Sequence, residues 1–107
     1  MAKRKVVEAI KFFENSLIDS GLNISKIILF GSQAKKKQTE ESDVDLIIIS
    51  DDFKGKNIFE RAEITKDAEI NTIKKFLIPF DIITLTSEEF ENSMFFEYTE
   101  ESKVIYA

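Results

Sequence analysis

Two short apolar runs, set close together, constrain this chain more than any other feature. Lys26–Phe30 reads Lys-Ile-Ile-Leu-Phe, Asp43–Ser50 reads Asp-Val-Asp-Leu-Ile-Ile-Ile-Ser, and only residues 31–42 separate them. Runs of this length, rich in β-branched residues, are strands; three consecutive isoleucines favour a pleated, buried setting. Parallel neighbours need a crossover that carries a helix. Residues 31–42 are polar, begin at Gly31 and have room for little more than a helical turn from Ser32. The sheet is therefore expected to be mixed rather than wholly parallel.

The rest of the chain supplies helices. Val6, Ile10, Phe13 and Leu17 fall on one helical stripe between Lys3 and about Asp19, and Gly21 is placed to end that helix in a left-handed conformation. Asp51–Lys56, with Gly55, reads as a turn. Asn57 followed three residues later by Glu60 is a helix start, and Ile58, Ala62, Thr65, Ile73 and Phe76 give a weak stripe until Pro79 forbids continuation. Phe80–Leu85 is a third strand. Thr86 with Glu89 opens a last helix with Phe90, Met94 and Phe95 on its apolar side, and Lys103–Tyr106 is a short final strand. Helices interleaved with strands predict an α/β fold, a small mixed β-sheet packed against helices. At 107 residues, without repeat or linker, the chain reads as one domain spanning 1–107.

Composition narrows the chemistry. The chain has neither cysteine nor histidine. That removes disulfides, thiolate nucleophiles, Cys/His zinc sites and imidazole proton transfer. Catalysis is left to carboxylates, lysines, hydroxyls, backbone amides or a hard cation. The net charge is −5, with residues 1–80 summing to +1 and residues 81–107 to −6. No broad basic field is present, so nucleic acid is not the expected partner. The acidic end reads either as a solvated helix face or as a surface suited to a basic partner. No apolar run approaches the ~18 residues of a membrane span, and no apolar stretch follows the basic N-terminus. The expectation is a cytoplasmic protein without membrane contact.

Three aspartates then stand out. Side chains alternate along a strand, so Asp43 and Asp45 project from one face of the second strand. Two bare carboxylates this close repel by about 1 kcal/mol or more, and a cation or shared proton offsets that cost. Asp81 opens another apolar strand, flanked by Phe80 and Ile82. With the third strand beside the second, all three carboxylates converge. Such an oxygen-only donor set favours Mg²⁺ or Mn²⁺, and two such ions can activate a hydroxyl nucleophile and steady a departing phosphate. Gly31 lets a phosphate approach the backbone, and Ser32 offers its hydroxyl and amide. The competing reading is a plain α/β domain with incidental acids at a strand entry.

Phe30-Gly31-Ser32, ten residues, then Asp43-Val44-Asp45-Leu46 resembles the signature of the DNA polymerase β-like nucleotidyltransferase superfamily. The short length, the strand opened by Asp81 and the closing Lys103–Tyr106 segment resemble its small members, the minimal nucleotidyltransferases. The resemblance implies that Gly31 and Ser32 hold a nucleoside triphosphate and that Asp43, Asp45 and Asp81 are catalytic and bind the divalent metal, with Asp81 helping to deprotonate an acceptor hydroxyl. It also implies ATP as substrate, AMP transfer to a tyrosine of a HEPN toxin, and an antitoxin role in a toxin–antitoxin pair. Many relatives carry Arg-Ala-Arg-Gly after the Gly-Ser; here the residues are Gln33-Ala34-Lys35-Lys36. Lysine is a point charge without the forked grip of arginine, so Lys35 is a phosphate contact or part of a solvated loop. The alternative is a non-catalytic antitoxin that neutralises its partner by covering it. Homo- and hetero-oligomers both stay open. Phe95-Phe96 sets adjacent rings on different sides of a helix, one of them free to face another chain or both buried.

Overall fold

A computed structural model describes residues 4–30, 44–94 and 96, and the backbone of 103–106. Helix α1 spans Arg4–Asp19, strand β1 Lys26–Phe30, β2 Val44–Ile49, α2 Ile58–Phe76, β3 Phe80–Leu85, α3 Ser87–Glu91 and β4 Lys103–Tyr106, with a short 3₁₀ turn at Asp51–Phe53. The sheet order is β3-β2-β1-β4. Strand β1 runs antiparallel to β2 and β4, whereas β2 and β3 are parallel and joined through α2. The sheet is mixed, as the short 31–42 connection requires. Among the described residues no helix is long and apolar enough to cross a membrane.

Alternation along the strands gives the sheet two unlike faces. Val44, Leu46 and Ile48 of β2 join Ile27, Leu29 and Phe80 in a core with Val6, Ile10, Phe13 and Leu17 of α1. The opposite face carries Ile28, Ile47 and Ile49, with Phe90 of α3 packed on it and Phe30, Ile83 and Leu85 at its margin. Phe13 is wholly buried and meets Phe80 edge-on at 5.6 Å between ring centres. Helix α1 ends as its sequence predicts. Gly21 has φ +99°, its N–H bonds the Ile18 carbonyl at 2.9 Å, and the Leu22 N–H bonds that of Leu17 at 3.1 Å. This paired arrangement satisfies the last free carbonyls while Leu17 and Leu22 bury together.

Helix α2 departs from the expected stripe in its first turns: Thr65 is buried and Ile73 and Phe76 pack against the core as expected, but Ile58 and Ala62 do not. Its buried residues are Arg61, Thr65, Ala68 and Thr72, while Ile58 and Ala62 face solvent. The physical reason is Arg61. Its guanidinium is satisfied internally, so a charged residue occupies the buried row and rotates Ile58 outward. The α2 start is as expected: Asn57 accepts from the Glu60 N–H at 2.9 Å, and Glu60 accepts from the Asn57 N–H at 2.9 Å. The last helix is shorter than its apolar pattern suggests, ending at Glu91 and leaving Met94 exposed. Phe96 is half exposed and packs edge-on against Phe90 at 5.6 Å. Phe95 and the helical turn expected from Ser32 lie outside the described residues.

Candidate active site

The parallel register of β2 and β3 sets Asp45 directly beside Asp81. Register partners on adjacent strands point to the same face. Val44 and Leu46 belong to the helix-side core, so Asp45 looks away from α1 and α2. The same alternation turns Phe80 inward and Asp81 outward. Across β1 the register partner of Asp45 is Phe30. The chain thus leaves β1 for Gly31 at the strand end that carries both aspartates. Gly31, Ser32, Lys35 and Asp43 lie outside the described residues; Asp43 immediately precedes β2.

Adjacent strands are separated by about 4.8 Å. Register partners on neighbouring strands bring these two like charges onto one face. Asp45 is half-buried and Asp81 exposed. Glu69 of α2 senses the Asp81 charge. Burial first, and then the Asp81 charge, push its carboxyl above the ordinary carboxylate range. Sequence reading missed Glu69 because it lies on the margin of a buried row that is itself hidden by polar residues: Thr65 is one turn before it and Thr72 nearly one turn after. Among the described residues no group of three carboxylates or other ligands is close enough to hold a metal ion. The Asp45–Asp81 pair nevertheless supplies hard oxygen donors side by side, which suits a cation such as Mg²⁺ rather than zinc.

The far end of β3 is built differently. The Arg61 guanidinium holds both carboxylate oxygens of Glu89, at 2.7 and 3.0 Å, and also donates to the Lys56 and Thr84 carbonyls at 2.9 and 3.1 Å. An open groove of about 550 Å³ lies beside it, lined by Lys54, Thr86 and Asn92 among others. With those donors committed, Arg61 is a clamp between α2, β3 and α3 rather than a free anion site.

The family described as "Polymerase beta, Nucleotidyltransferase" matches residues 10–107. The chain belongs to that family. Its likeness to known members extends over nearly its whole length. A Methanocaldococcus jannaschii protein, provisionally named a protein adenylyltransferase, is 35% identical over 109 residues that cover 92% of this chain and 96% of that one. A Sulfolobus solfataricus structure, provisionally titled a nucleotidyltransferase, superposes with a TM-score of 0.58 at 18% identity, covering 97% of this chain and 87% of its own. A further structure so titled gives a TM-score of 0.52 at 19% identity, with 89% and 95% coverage. At those identities the two structures speak to the fold alone. They show the same small mixed sheet packed with helices.

Proposed function

We propose that this nucleotidyltransferase moves AMP from ATP to a hydroxyl of a partner protein, a tyrosine of a HEPN toxin, and so acts as an antitoxin. The observation that carries the reading is the Asp45–Asp81 pairing at the end of β1 where Gly31 and Ser32 follow. The name of the M. jannaschii relative supports a protein acceptor. In this account the acceptor oxygen attacks the α-phosphorus, the new O–P bond forms as the bond to the β-phosphate breaks, and pyrophosphate leaves. Gly31 and Ser32 cradle the triphosphate through backbone and hydroxyl, with Lys35 as a point-charge contact. Asp81, the exposed member of the pair, takes the acceptor proton. Mg²⁺ or Mn²⁺ held by Asp43, Asp45 and Asp81 would supply neutralisation of phosphate charge.

The experiment is transfer of label from α-³²P-ATP, with Mg²⁺, to the product of the neighbouring gene, which the reading expects to be a HEPN protein. The wild-type chain labels it, while Asp45→Asn and Asp81→Asn fold normally and do not. Equal labelling by those variants, or a neighbouring gene of another kind, overturns the reading. A second reading, neutralisation by covering the toxin without catalysis, draws on the apolar side chains left in solvent, Ile58, Phe59 and Leu77 among them. It predicts that the triple aspartate-to-alanine variant still neutralises.

A further inference from the structure

Leu77 is the one non-glycine residue with positive φ among the described residues, at φ 56° and ψ 38°. It caps α2, donating its N–H to the Ile73 carbonyl at 2.8 Å. This position ordinarily belongs to glycine or asparagine, because a Cβ crowds the following carbonyl there. The strain brings no burial in return: the Leu77 side chain is 78% exposed. A bulky apolar residue held in solvent at a conformational cost points to a use outside the fold. Ile58 and Phe59 are as exposed, but they sit at the start of α2, by the Arg61 clamp and the far end of β3.

Leu77 stands instead at the aspartate end. Three residues separate it from Asp81, and the intervening Pro79 carbonyl accepts from the Val44 N–H at 2.9 Å, pinning this segment to the head of β2. Ring contacts of Phe12 with Phe76 at 5.7 Å and of Phe13 with Phe80 at 5.6 Å fix the end of α2 against α1 and the start of β3. Two cations precede the leucine in the last turn of α2. The Lys75 ammonium lies 4.6 Å over the Phe12 ring and 5.7 Å from that of Phe76. Lys74 is exposed beside it, and neither forms an ion pair among the described residues. Lysines suit the negative end of a helix, which accounts for their sign but not for the leucine between them and the active end.

We propose that this corner, Leu77 with Lys74 and Lys75, docks the acceptor: a protein segment that sets an apolar side chain on Leu77 and acidic side chains against the lysines, delivering its hydroxyl toward Asp81. The proposal rests on the protein-acceptor reading above and names what that acceptor looks like. Charge complementarity selects the occupant. The corner offers two cations without an ion-pair partner among the described residues, next to an exposed apolar side chain, and the chain's net charge of −5 disfavours a nucleic acid.

The test uses two labelled peptides alike except for charge, Glu-Glu-Leu-Tyr-Glu-Glu and Lys-Lys-Leu-Tyr-Lys-Lys, with an oligouridine RNA as third probe. Binding is read by fluorescence anisotropy, and transfer by α-³²P-ATP. The acidic peptide binds the wild-type chain in preference to the others. Its affinity falls about tenfold in Leu77→Gly, the scale of losing one buried leucine contact, and in Lys74→Glu/Lys75→Glu. Leu77→Gly also unfolds no earlier than wild type, since glycine relieves the strain, so weaker binding is not a folding defect. Binding of neither peptide, equal binding of both, affinity indifferent to these substitutions, or RNA bound in place of the acidic peptide overturns the proposal. Acidic peptide bound at this corner but never labelled overturns the transfer reading and leaves the docking surface standing. Labelling that ignores Leu77 and both lysines does the reverse.

Discussion

Arg61 shows how a charged residue enters a core without an energetic penalty large enough to forbid it. Its guanidinium meets two carboxylate oxygens and two carbonyls, so most of the cost of leaving water is offset. Glu89 gains in turn. The Arg61 hydrogen bonds, and after them the Thr86 N–H, hold its carboxyl down to about 2. Because the folded value is depressed, the stabilisation is present above the unfolded value near 4.5 and fades as pH falls from there through about 2. Urea unfolding across that window is expected to show this loss in the wild type and a much flatter profile in Glu89→Gln. Identical acid profiles would contradict the assignment. Little of this is legible in a sequence: Thr86 and Glu89 announce a helix start, but nothing marks Glu89 as the partner of an arginine 28 residues earlier. The same hidden pairing misleads a helical-wheel reading of α2, which places Ile58 and Ala62 inside.

Elements bounded by strong punctuation are readable to within a few residues, α2 ending at Phe76 ahead of Pro79. Strand β1 stops at Phe30 because Gly31 follows, and α2 cannot pass Pro79. The start of α2 is equally plain, and its reciprocal Asn57–Glu60 bonds carry a definite expectation. Asn57→Ala leaves the Glu60 N–H without its side-chain acceptor and destabilises by about 1 kcal/mol, measured as a shift in the denaturation midpoint at unchanged slope. A shift indistinguishable from zero would mean that water serves this helix end as well. Where punctuation is absent the pattern overreaches: Met94 continues the apolar spacing of α3, yet the helix has already ended at Glu91. Amphipathic spacing over five residues is too weak a signal to fix an end, since one turn gains little before its nucleation cost is met.

At the scale of the whole molecule, the mixed sheet follows from connection lengths, and the aspartate pairing follows from strand alternation once β3 lies beside β2. The sequence spacing of Asp45 and Asp81 says nothing of that adjacency; the parallel crossover through α2 creates it. Glu69 is invisible for the same reason, because its proximity to Asp81 exists only in the packed state. The central claim is that Asp45 and Asp81 act together on a divalent cation and a nucleotide. It implies a site that gains stability when filled. Thermal unfolding of the wild type and of Asp45→Asn, Asp81→Asn and the double variant, each with and without Mg²⁺ and α,β-methylene-ATP, reads that gain. The account predicts that Mg²⁺ and nucleotide raise the midpoint of the wild type and leave those of the variants unmoved. A midpoint that Mg²⁺ and nucleotide raise equally in the double variant, or leave unmoved in the wild type, would contradict it.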